Sequence, residues 1–146
     1  MNTRVFVFLS RVGMGVLFFY AGITKVVDPA WSSEGYLKGA QTFNAFYTWL
    51  ASPGLLSITD FVNEWGLTLL GLALILGIGI RYVAPLGALL MLLYYFPVLD
   101  FPYAGEHAYI VDEHIIYALM LLLLWKLDAG KAWGLESRFS FLKRFS

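Results

Sequence analysis

The sequence predicts an all-α integral membrane protein: a four-helix transmembrane bundle with an amphipathic helix in the outer loop between helices 1 and 2. Three observations carry this. Of 146 residues, 60% are hydrophobic and only 14% charged, with mean hydropathy +0.71, whereas soluble domains carry about a quarter charged residues. Four apolar segments, at about 5–27, 61–80, 82–99 and 109–127, approach the roughly 20 residues that cross a hydrocarbon core. Lysine and arginine also gather at one set of segment ends.

The first segment, Val5–Val27, contains Arg11 and no small-x-small cleavage site, so it reads as a retained helix and not a signal peptide. After it, Tyr36, Ala40, Phe43, Tyr47 and Leu50 recur at helical spacing, predicting one helix over about 33–51. Ser32 or Ser33 caps that helix and Ser52-Pro53-Gly54 stops it. Its aromatics suit the headgroup layer, and both an interfacial anchor and a lid over a site stay open. The second and third segments, Phe61–Ile80 and Tyr82–Leu99, form a hairpin around Arg81. Pro85 is expected in the first turn of the third helix, and Pro97 and Pro102 mark its end. The fourth segment opens on Asp112-Glu113-His114. Residues 130–146 form a basic-aromatic tail suited to an anionic inner leaflet.

Arg4, Arg81, Lys126, Lys131, Arg138, Lys143 and Arg144 fall at one set of ends, and Lys25 and Lys38 at the other. The positive-inside rule places both termini and the Arg81 turn in the cytoplasm, in a plasma membrane protein. Zero net charge gives no argument for nucleic acid, and the absence of cysteine excludes thiol relays and thiolate-held metal within this chain.

Helix 1 aligns Arg4, Arg11, Phe18 and Lys25 in one stripe, with Gly15 and Gly22 beside it. A charge facing lipid costs about 2.5–3.5 kcal/mol or more, so the stripe should face the bundle, although Arg11 can instead snorkel to the inner headgroups. Lys25, at the opposite level, sits either at the interface or in a buried pair with Glu64 or Asp112. Asp112 and Glu113 suit a helix N-terminus. His114 exchanges protons near neutral pH, and with Tyr117 one turn on it could hold a quinone carbonyl. Lys25, Glu64, Asp112 and His114 are therefore the candidate catalytic residues, with Tyr117 and Arg11 as candidate cofactor contacts. No metal site is expected: the two histidines lie near one helix start, and no Glu-x-x-His spacing occurs.

The chain resembles the DoxX family, and within it the branch related to DoxD, the large subunit of thiosulfate:quinone oxidoreductase. The resemblance spans about residues 10 to 136. It rests on Arg11-x-x-x-Gly15-x-x-Phe18-x-x-x-Gly22-x-x-Lys25, on Asp28-Pro29-Ala30-Trp31-Ser32, and on Val111-Asp112-Glu113-His114-Ile115-Ile116-Tyr117. It implies a quinone-interacting membrane redox protein that oxidises thiosulfate or a related reduced sulfur compound. The open alternatives are a non-catalytic accessory or assembly subunit and a small-molecule or lipid carrier. Implied partners are the lipid membrane, a small second subunit or larger redox complex, and a second copy of the chain.

Overall fold

The computed structural model describes residues 2–138. Among them there is no strand, and three helices are long and apolar enough to cross a membrane: α1 (Thr3–Val26), α4 (Leu56–Leu76) and α5 (Ile80–Val98). Two short helices, α2 (Glu34–Lys38) and α3 (Asn44–Leu50), lie between α1 and α4, and α6 (Glu113–Lys126) follows α5. The chain then makes two 3-10 turns, Ala129–Lys131 and Leu135–Ser137. The distal part of the expected tail, 139–146, lies outside the described residues.

Helix α1 packs along α4, and α5 packs along α6. Glycine sets the first contact. A Cβ on Gly22 would lie 2.3 Å from the Thr68 backbone nitrogen, and one on Gly71 would lie 2.2 Å from that of Phe19. Only a residue without a side chain lets the backbones approach so closely. Phe18, Leu67, Leu70, Leu74, Met91 and Leu121 fill the core between the helices.

The single helix expected over 33–51 is two helices. Residues 39–43 break it, and Phe43 adopts φ 54°. The reason lies in α5. Pro97 has no N–H to bond Leu93 O one turn earlier, and the Tyr47 hydroxyl donates to that carbonyl instead, at 2.9 Å. Gln41 N donates to Pro97 O at 2.9 Å, and Thr42 Oγ1 to Leu99 O at 2.5 Å. A continuous helix would keep the Gln41 N–H for itself; the break releases it to the frayed end of α5.

The fourth expected segment also begins late. Tyr109 makes an isolated bridge with Tyr103, Ile110 adopts φ 59°, and the helix starts at Glu113 behind its Asp112 cap. Its 14 residues span about 21 Å, short of a hydrocarbon core of about 30 Å. Pro85 is displaced too. Because α5 starts at Ile80, the proline stands in the second turn, not the first.

The α4–α5 hairpin turns on Gly77 and Gly79, both left-handed, with φ 67° and 65°. Ile78 N returns to Ala73 O at 3.0 Å, closing α4 as glycine-terminated helices commonly close. Arg11, fully buried, donates to Leu74 O, to Ile75 O at 3.1 Å and to Ala132 O at 3.2 Å. From the other side the buried Glu136 accepts from Gly79 N at the start of α5. A cation thus meets the carbonyl end of one helix and an anion the amide end of the next, each matching the sign of that dipole.

Candidate functional site

At the end carrying α2 and α3, a cavity of about 380 Å³ opens between α1, α4, α5 and α6. Each helix contributes one stripe at helical spacing: Phe18, Ala21 and Lys25; Asn63 and Leu67; Met91, Tyr94 and Val98; His114 and Tyr117. The Trp31–Tyr36 stretch closes one side. It is stapled by Asp60, whose carboxylate accepts from Ser32 Oγ at 2.9 Å, Ser33 N at 2.9 Å and Ser33 Oγ at 2.5 Å.

Most polar groups in the wall are already engaged. The Tyr36 hydroxyl donates to Tyr94 O, and burial, with the Asp112 carboxylate second, pushes it well above the usual phenol range. It therefore stays a donor. The Tyr94 hydroxyl donates to Asn63 Oδ1 at 2.5 Å, and Asn63 Nδ2 donates to Thr59 O at 2.7 Å. Asp112 caps α6 by accepting from His114 N at 2.9 Å and Ile115 N at 3.2 Å. Its other oxygen lies 2.6 Å from His114 Nδ1. This pairing fixes the ring, so Nε2 is the nitrogen left for a ligand. The His114 ring also packs edge-on against Tyr94, at 5.9 Å between centroids.

Lys25 reaches the cavity from α1. Its ammonium donates to Ala21 O at 2.8 Å and lies 5.4 Å from the centre of the Trp31 ring. No carboxylate partners it among the described residues, so the expected ion pair with Glu64 or Asp112 does not form. The register set by Gly22 against Thr68 turns Glu64 onto the α1–α4 seam. Asn63, one residue earlier, faces the cavity in its place.

Of the expected site residues, Lys25, His114 and Tyr117 line the cavity, Asp112 stands behind His114, and Glu64 does not contribute to the wall. Arg11 lies two turns before Phe18, bound to the carbonyls at the α4–α5 turn, and does not reach the cavity. Asn63, Tyr94, Tyr36 and Trp31 complete the wall without having been singled out as site residues. The signal for Asn63 and Tyr94 was present: Asp60, Asn63 and Leu67, like Met91, Tyr94 and Val98, each form an i, i+3, i+7 stripe. Among the described residues no cluster of His, Asp and Glu could hold a metal ion.

The DoxX family model matches residues 6–99, well over half of the chain, taking in α1 through α5 and stopping before α6. No curated protein and no solved structure matches the chain.

Proposed function

The chain belongs to the DoxX family of membrane proteins, and on that premise we propose that it is a quinone-interacting membrane redox protein whose quinone site is the cavity above. One observation carries this reading. A largely apolar, aromatic-walled cavity of about 380 Å³ holds the His114–Asp112 pair in its wall. Sites for small aromatic ligands combine such a lining with a few placed polar groups.

A bound quinone supplies two-electron, two-proton chemistry. The protein's part is to stack, orient and move protons. Phe18, Trp31, Tyr94 and Tyr117 offer ring faces and edges. The Lys25 ammonium attracts an oxygen that carries or gains negative charge. His114 Nε2 exchanges a proton with the ring oxygen, and Asp112 stabilises the imidazolium while it lasts. Electrons come from a reduced sulfur compound such as thiosulfate, delivered with a second subunit, as the resemblance to the DoxD branch implies. Glu64 and Arg11 have no place in this scheme, because neither side chain reaches the cavity.

In the membrane, α6 with its preceding segment forms a fourth span, and both termini and the Arg81 turn face the cytoplasm. The α2–α3 end then faces outward. In this cysteine-free chain, Ser52→Cys is expected to label from outside intact cells and Asn2→Cys to be protected; the reverse pattern overturns the orientation.

The functional test is a purified sample extracted for quinone and assayed for thiosulfate-dependent quinone reduction. His114→Ala is expected to lose the activity by about 100-fold or more while keeping its melting temperature. Full activity in that variant, or a wild-type protein that neither carries nor reduces quinone, defeats the reading.

A further inference from the structure

The wall has an unbalanced inventory of charge and hydrogen bonds. Among the described residues no carboxylate lines the cavity: Asp60 is tied to Ser32 and Ser33, and Asp112 stands behind His114. One formal cation, Lys25, does line it, with a single backbone acceptor and an indole face as its surroundings. An ammonium has three N–H donors, so two remain for a ligand. The Tyr36, Tyr94, Ser32 and Ser33 hydroxyls are all engaged with protein acceptors. Among the described residues the Tyr117 hydroxyl has no hydrogen-bond partner. The cavity thus offers one concentrated positive charge, few other free donors, and aromatic rings on several sides.

That inventory discriminates between ligands. A small inorganic oxyanion carries a tight hydration shell, and stripping it in an apolar site requires many donors in exchange. Lys25 alone cannot supply them. A flat aromatic ligand with one acidic oxygen needs only one cation for that oxygen, while its ring is stabilised by stacking and burial.

Resting on the reading of the cavity as a quinone site, we propose that its ligand is an acidic aromatic amphiphile, such as a hydroxylated quinone, bound as its anion with the ionised oxygen on Lys25. The sulfur oxyanion is then bound elsewhere in the complex. His114 Nε2 accepts the proton given up when such a hydroxyl ionises, so proton and charge part company between two helices, α6 and α1.

The test uses the full chain in detergent micelles, with calorimetric titration of an alkyl-substituted hydroxynaphthoquinone and of its O-methyl ether. The two differ by one ionisable oxygen. The hydroxyl compound is expected to bind at least about tenfold more tightly, the usual effect of a charge-assisted hydrogen bond. Lys25→Met should erase the preference, and Lys25→Arg should retain it. Equal affinity of the two compounds for the wild type overturns the proposal and leaves the quinone reading intact; failure of both to bind overturns both. Displacement of the hydroxyl compound by millimolar thiosulfate, or equally tight binding of a fatty acid anion, also overturns the proposal.

Discussion

Replacing Arg11 with methionine tests whether the α4–α5 turn depends on a buried cation. The side chain is fully buried and its guanidinium donates to the Leu74, Ile75 and Ala132 carbonyls. Hydrogen bonds involving a charged group are each worth about 1.5–3 kcal/mol, but three on one guanidinium do not add. Methionine has similar length, so packing is largely retained and the loss is electrostatic. It removes the side-chain donor from the Leu74, Ile75 and Ala132 carbonyls, of which Leu74 O keeps the Gly77 amide, and leaves Glu136 without its nearby cation. Breaking one side of a buried charged arrangement costs about 3–5 kcal/mol. At roughly 3 °C per kcal/mol for a chain of this size, the melting temperature should fall by on the order of 10 °C. Arg11→Lys keeps the charge but not the fork, and should fall between the two. The assay is thermal unfolding in detergent, followed by helical circular dichroism. A methionine variant melting within about 2 °C of wild type refutes the reasoning.

Gly22→Ala should separate α1 from α4, since its Cβ would meet Thr68 backbone at 2.3 Å, and lower stability by about 1–3 kcal/mol; Gly13→Ala, with nothing within 4 Å, is the matched control, and equal melting of the two sinks the close-approach argument. Tyr47→Phe should cost about 1 kcal/mol through loss of the bond to Leu93 O. The cost should shrink in a Pro97→Ala background, where the helix can supply its own N–H, and an additive double-mutant cycle would contradict this. Glu136 makes the stability depend on pH. Burial holds the Glu136 carboxyl above the usual range, against the lowering pull of the Gly79 and Ile80 amides, Arg11 and Lys131. Between the unfolded and the raised folded value the folded protein binds the extra proton, so its stability falls as pH rises through that window. Glu136→Gln should flatten that part of the melting-temperature profile, and superimposable profiles for variant and wild type would rule it out.

Apolar length placed α1 and α5 to within a few residues, because hydrophobic run length is what a membrane selects. It misplaced α4 at both ends. Leu56-Ser57-Ile58-Thr59-Asp60 is too mixed to register as apolar, and the run through Ile78 hides a backbone reversal at Gly77 that hydropathy cannot see. The break in the 33–51 segment was invisible for another reason: its cause is the distant end of α5, where the missing Pro97 N–H frees Leu93 O for Tyr47 and the helix end frees Pro97 O for Gln41. At the site, Lys25, His114 and Tyr117 were legible because ionisable and phenolic groups stand out in greasy helices. Glu64 stood out equally but is not in the cavity wall. Whether it or Asn63 turns inward is settled by the phase of α4 against α1, and that phase depends on where two glycines let the backbones touch. Glu136 was not singled out in the sequence, since nothing local reveals that it caps a helix begun at Ile80.

The clasp at Gly77–Gly79 has a consequence for the order in which the chain is made. Its parts come from Arg11 near the beginning, from the hairpin in the middle, and from Ala132 and Glu136 in the last described turns. During synthesis α1 and the α4–α5 hairpin exist well before residues 132–136 leave the ribosome. Until then Arg11 can reach the end of α4, but its bond to Ala132 and the acidic cap on α5 are missing. The hairpin's final geometry is thus fixed late, by the two 3-10 turns that follow α6.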